Sequence, residues 1–494
     1  MQFQSAGFLL FFAVLVLLYR FLPGKLRKGW LLACSLFFCL SFGASSLLIL
    51  LLVIVFGFAA GIWLENADSP ASGKRRLTIS VTGLVLILCL FKYADFLLEN
   101  VNALLSAAGW PLLPERTGLF LPVGISFYLF QTIGYLVDVY RKDSPAEKNF
   151  PTYALFVCFF PQITAGPIAR SSSLLPQLRN LSFLSQPTQK KSFSGFSLML
   201  WGFFLKMVLS DRAGIFVDAV WQNLFACGTS ETVLAAILFS FQIYADFAGY
   251  SAIAIGAARI LGIDLTENFH APYLSGSIAQ FWRRWHISLS TWLRDYVYIP
   301  LGGNRKGQWK KYRNLLVTFL VSGIWHGASW SFVIWGLLHG VYQVLGSLLG
   351  PLHGKACRLL RLRKDTFSFR LLQVLWTFLL VSFAWIFFRA GSLSTAFFFL
   401  NRMLTRWDPW VLFNEQIFAF GLDRQEFEIL FLSILVLAVI DLLQQKKGKD
   451  FGALLASQSL WFRWGLCLVL IVLVLVVGEY GIDFSSSQFI YAGF

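Results

Sequence analysis

Between Asn314 and Gly354 the chain carries no Asp, Glu, Lys or Arg, yet this stretch holds His326 in WHGASW and His339 in LLHG. As one straight helix it would extend about 60 Å at about 1.5 Å per residue, against a hydrocarbon core of about 30 Å. It therefore has to break and fold back, and the expected break is GASWS at 327–331. That leaves His326 near the end of one helix and His339 on its neighbour, both at membrane depth. An imidazole held there is costly unless it has a partner or a task.

The rest of the chain agrees with a membrane setting. Hydrophobic residues make up 57% of its 494 residues and charged residues only 13%, where a soluble domain carries about a quarter. Continuous apolar runs favour helices over the weakly alternating strands of a barrel, so the expected class is all-α: a polytopic transmembrane helical bundle with re-entrant or interfacial helices. The net charge of +16 resides in short clusters between apolar runs, where a topology signal is expected. No nucleic-acid partner is expected from it. The seven cysteines are scattered and show neither metal-ligand spacing nor a disulfide framework, so no metal site is expected either.

Allowing about 17 to 25 apolar residues per span, helices are expected near 5–21, 29–42, 46–63, 78–98, 119–140 and 196–216. Further ones follow near 231–258, 313–330, 332–350, 371–389, 427–444 and 459–478, about 11–12 crossings in all. Residues 150–168 are apolar but interrupted by Pro161, Gly166 and Pro167, which suits a re-entrant element. The first apolar stretch is followed, not preceded, by Arg20, Lys25, Arg27 and Lys28, the pattern of a first transmembrane helix with its N-terminus outside. Counting crossings from there puts the remaining basic clusters and residues 259–312 on the cytoplasmic side, and the tail beyond Val477 outside. No internal repeat or long polar linker interrupts the chain, so residues 1–494 are expected to form one domain.

Upstream of the uncharged run lies FWRRWHISLSTWLRDYVYIPLGGNRKG, residues 281–307. It is too charged for a span and too aromatic for a solvated loop, and it suits helices lying at the inner interface. Anchoring accounts for its aromatics and most of its arginines but not for His286, whose imidazole is the commonest acid or base near neutral pH. Arginines beside it are suited to gripping phosphates, and Gly302 and Gly303 permit close backbone approach. LGGN lacks the spacing of a phosphate-binding loop.

For an intramembrane histidine the plainer reading is a hydrogen bond between helices. His339 keeps that reading. His326 gains a functional one from its setting: Gly323 and Gly327 would thin the helix for an approaching substrate, and Trp325 and Trp330 would wall a pocket. Gln131, Asp138, Lys206, Asp211, Gln242 and Asp246 also lie in apolar segments. Such residues mark ion or proton paths in transporters, but the internal symmetry usual there is absent.

LPVGISFYLFQTIGYLVDVYR (121–141), FFPQITAGPI (159–168), ADFAGYSAIAIGAARILGIDLTENFHAPYLS (245–275), FWRRWHISLSTWLRDYVYIPLGGNR (281–305) and SGIWHGASW (322–330) together resemble the membrane-bound O-acyltransferase family, most closely its bacterial polysaccharide O-acetylation branch. The resemblance implies acyl transfer to a hydroxyl through a tunnel across the membrane, with His326 as the main catalytic residue and His286 at a second polar position that is often Asn. The tail FIYAGF resembles an F-x-Y-x-x-F ending in which a tyrosine, here Tyr491, is thought to accept the acyl group transiently. A commoner fate for such a tyrosine is an interfacial anchor.

These expectations combine into one mechanism. Acetyl-CoA, a co-substrate and not a tightly bound cofactor, would dock from the cytoplasm near Arg283, Arg284 and Arg305, and His326 would deprotonate the accepting hydroxyl. The acetyl group would pass outward, through Tyr491 and an extracytoplasmic esterase-like (SGNH-type) partner, to a polysaccharide outside the bacterial inner membrane. The alternatives are D-alanyl or other acyl transfer to a teichoic acid-like polymer and, in a different class, a polysaccharide transporter or flippase.

Overall fold

The computed structural model describes residues 1–114, 116–181 and 187–480, which are helices and their connections without a strand among them. Each stretch expected to form a span overlaps a helix, although 119–124 and 327–329 are not helical. Among the described residues, seven helices are long and apolar enough to cross a membrane: Ala44–Glu65, Pro70–Ala107, Gln189–Gln222, Thr229–Ile260, Trp330–Leu359, Phe367–Arg389 and Leu460–Val477. The others, such as Ala6–Phe21 and Gln308–His326, are shorter or carry more polar residues in their first turns. Exposed Leu, Val and Phe side chains cover the outside of several of these helices, as expected of surface that faces lipid.

The described residues group into two compact units, one of Met1–Phe196 with Ala254–Thr266, the other of Ser197–Ile253 with residues 267–480. In the first, residues 150–168 form two short helices, Phe150–Cys158 and Phe160–Ile163, separated at Phe159. The break would strand backbone carbonyls in an apolar interior, a cost of several kcal/mol each in hydrocarbon, on the order of 2–7. Gln131 and Gln162 meet it: both side-chain amides donate to the Phe156 carbonyl, at 2.6 and 2.8 Å.

In the second unit the Gln189–Gln222 span loosens into a π-helical stretch at Phe204–Ser210. Lys206 lies in it, fully buried, and its Nζ reaches Asp211 Oδ1 at 2.8 Å and Asp246 Oδ1 at 2.7 Å. Gly202 and Gly249 bring the two helix backbones together there, since a Cβ on Gly249 would stand 2.8 Å from the Gly202 carbonyl oxygen. Arg212 holds the end of the described chain by donating to Glu479 Oε1 at 2.6 Å and to the Val477 carbonyl at 2.8 Å.

The uncharged run folds back as required. Gln308–His326 ends at His326, Gly327 continues in extended backbone, and Trp330–Leu359 begins three residues later. The two helices form the most extensive helix pair among the described residues. Their closeness rests on glycine: a Cβ on Gly336 would collide with the Phe319 carbonyl oxygen and lie 3.0 Å from Gly323 Cα.

Candidate active site

His326 is the last residue of its helix and only 2% exposed. Its ring is walled by aromatics: Trp325 and Trp335 each at 4.8 Å between ring centroids, and Phe388 at 5.4 Å. The glycines beside it do not leave room for a substrate, contrary to the expectation from sequence. The space at Gly323 is taken by the Phe332 carbonyl and Gly336, and the space at Gly327 by the Phe332 ring. Trp325 is buried against the His326 ring, whereas Trp330 is 52% exposed.

His286 sits between two short helices, Ile278–Arg284 and Ile287–Leu293, in left-handed backbone with φ 42°. The turn is tied down by Asn268, whose carbonyl accepts from the Ile287 N–H at 2.9 Å. The Asn268 side-chain oxygen lies 3.1 Å from His286 Nδ1 and accepts from the Ser288 hydroxyl at 2.9 Å. Phe247 stands edge-on to the ring at 4.6 Å, and Trp325 lies at 6.1 Å. Burial among these groups pushes the imidazole down to about 3 and so keeps it neutral at physiological pH. Both histidines thus border one indole, Trp325.

His339 belongs to the same aromatic cluster in another capacity. The Trp282 indole N–H donates to its Nδ1 at 3.2 Å, and Trp335 packs on it at 5.1 Å. Because indole only donates, Nδ1 is the acceptor and the neutral ring carries its hydrogen on Nε2.

Of the arginines expected near a donor, Arg283 and Arg305 are exposed. Arg284 donates to the Ala271 carbonyl at 3.3 Å and to Gln445 Oε1 at 3.1 Å, a structural tie. Gly302 and Gly303 have φ of 105° and 56° and shape a loop that Asn314 holds, its Nδ2 donating to the Gly303 carbonyl at 2.9 Å. Tyr491 lies outside the described residues. Asn268 and Trp282 fall in the family-like segments 245–275 and 281–305, yet nothing in their spacing set them apart; their roles come from the tertiary contacts.

The sequence profile of the membrane-bound O-acyltransferase family matches residues 146–389. The probable alginate O-acetylase of Azotobacter vinelandii is 38% identical over 401 residues, 80% of this chain and 76% of that protein. A peptidoglycan O-acetyltransferase of Helicobacter pylori is 36% identical over 404 residues, 76% of this chain and 73% of its own length. The teichoic acid D-alanyltransferase of Bacillus subtilis is 28% identical over 272 residues, 51% of this chain and 67% of its own length. The chain belongs to the membrane-bound O-acyltransferase family and is a multi-pass membrane O-acyltransferase.

Proposed function

We propose that the chain moves an acetyl group from cytoplasmic acetyl-CoA across the bacterial inner membrane to a hydroxyl, for O-acetylation of a polysaccharide outside it. The observation that carries this reading is the pair of buried histidines bordering Trp325 inside an aromatic shell. Such a shell excludes bulk water, so a thioester drawn into it meets a chosen hydroxyl before it meets solvent. His326 acts as the base that takes the hydroxyl proton as the oxygen attacks the thioester carbonyl, and returns it to the CoA thiolate as the C–S bond breaks, a role worth about 10² to 10⁴ in rate. An imidazolium formed there faces the C-terminal, negative end of its helix. Exposed Arg283 and Arg305 are suited to steer the phosphates of the donor.

Tyr491 serves as the transient acceptor. A phenol of pKa about 10 is mostly protonated at neutral pH but a better nucleophile than a sugar alcohol once ionised. The acyl-tyrosine then hands the group to an SGNH-type partner outside, which requires the C-terminal tail to be extracytoplasmic, the side on which the N-terminus is also expected. Relatives named for acetyl transfer match more of this chain, at higher identity, than the D-alanyltransferase does, which favours acetyl over D-alanyl. Membership in an acyltransferase family speaks against the transport reading.

The test is the acetyl content of the cell-surface polysaccharide with His326→Ala, and separately Tyr491→Phe, replacing the native chain. Loss of acetylation at normal protein level is expected for both. Full acetylation with His326→Ala would sink the acyl-transfer mechanism, and full acetylation with Tyr491→Phe would reduce Tyr491 to an anchor.

A further inference from the structure

Acyl transfer leaves open which nitrogen of His286 carries its hydrogen, and the side chain of Asn268 decides it. A backbone N–H can only donate, and that of Ser288 is directed at Asn268 Oδ1, 3.3 Å away. That end of the amide is therefore the carbonyl oxygen. The other end agrees, because Nδ2 donates to Ser251 Oγ at 3.1 Å. Oδ1 accepts from the Ser288 hydroxyl as well, at 2.9 Å, and His286 Nδ1 lies 3.1 Å from the same oxygen. Two acceptors facing each other at that distance would repel, so Nδ1 bears the hydrogen and Nε2 the lone pair. Asn268 is fully buried, and its own carbonyl accepts from the Ile287 N–H, so one residue holds both the ring and the left-handed turn that presents it.

We infer that Asn268 is a positioning residue that locks His286 in the Nδ1–H form, so that His286 enters the reaction through Nε2 as an acceptor and not as a hydrogen-bond donor to the oxyanion. The inference rests on the acyl-transfer reading for its meaning but not for its geometry. His339 provides the contrast within the same cluster: Trp282 donates to its Nδ1, which forces the opposite tautomer. Phe247, Trp325 and Asn268, which contact His286, are uncharged. An amide oxygen facing Nδ1 sets the tautomer without the pull toward the imidazolium that a carboxylate in its place would add.

Solid-state nitrogen NMR of the full-length chain in lipid bilayers, labelled at histidine, tests this directly. The chain has five histidines, and His286→Gln and His339→Gln assign the two signals by their loss. His286 is expected to show a protonated Nδ1 and a bare Nε2, and His339 the reverse; a protonated Nε2 on His286 overturns the inference. Asn268→Leu is expected to release both tautomers and to slow thiol release from acetyl-CoA about 10²-fold. Asn268→Asp accepts the same Nδ1–H, so it is expected to keep the tautomer and most of the activity while moving the acid limb of the rate profile to higher pH. An unshifted limb in the Asp variant, or a single unchanged tautomer in the Leu variant, overturns the positioning role. If Asn268→Leu does not fold, the wild-type spectrum and the Asp variant decide. Retained acyl transfer in His326→Ala would remove the proposed mechanism and leave the tautomer assignment standing.

Discussion

Asp246 and Phe247 are neighbours in sequence but belong to two different clusters: Asp246 accepts from Lys206 at 2.7 Å, and Phe247 stands edge-on to His286 at 4.6 Å. The Thr229–Ile260 helix therefore links a buried ion cluster to a candidate catalytic ring.

Replacing Lys206 by Met removes the cation shared by two buried carboxylates, and should cost about 3–5 kcal/mol. Thermal unfolding in detergent would show the loss, accompanied by reduced acyl transfer as Phe247 shifts. Neutralising all three in Lys206→Met/Asp211→Asn/Asp246→Asn should recover much of the stability. A fully stable single mutant would show that the cluster carries little.

The hairpin of His326 depends on Gly336, where a Cβ meets the Phe319 carbonyl. Gly336→Ala should destabilise by about 1–3 kcal/mol through forced separation of the helices. At Gly346 on the same helix an added Cβ would meet nothing within 4 Å, so Gly346→Ala should be neutral or stabilising by up to about 1 kcal/mol. Equal melting temperatures for the two variants would contradict the packing argument.

Trp282→Phe keeps most of the ring packing but removes the donor to His339 Nδ1. The expected cost is about 1–3 kcal/mol for the buried acceptor left unsatisfied, with the turnover rate changed only a few fold. A collapse of turnover in a folded Trp282→Phe protein would instead place His339 in the chemistry.

His286 makes stability depend on pH. Its unfolded form takes a proton near pH 6.5, whereas burial delays this in the folded chain to about 3. Between these values the unfolded state binds more protons, so stability falls as pH drops below about 6.5. Melting temperatures measured from pH 7 to 5 should decline less steeply for His286→Gln than for the native chain. Parallel slopes would contradict the assignment.

The helices and the fold-back near residue 327 were legible because hydropathy and span length leave few options for an uncharged run. His326 stood out as a polar ring in an uncharged run, and His286 as an imidazole that interfacial anchoring leaves unexplained. What neighbours do with an empty space was not legible: Gly323 signalled a close approach, but only the folded chain shows that Phe332 and Gly336 occupy it. Lys206, Asp211 and Asp246 appeared as separate anomalies, since their pairing depends on how two helices meet. Asn268 gave no signal, because an Asn between Glu267 and Phe269 looks like any connecting residue until its four hydrogen-bonding partners are seen.

The left-handed backbone at His286 also restricts which residues can do chemistry there. Outside glycine, that conformation is enriched in Asn, Asp and His, although Lys142, Ala271, Arg361 and Glu415 also adopt it in this chain, so the turn biases the repertoire before any question of mechanism arises. Glycine has no functional group, and a carboxylate buried at this place would be expensive. A residue here therefore has to satisfy the turn as well as the chemistry, and exchanging His286 for Asn would keep a hydrogen-bonding group on the same backbone while giving up the base.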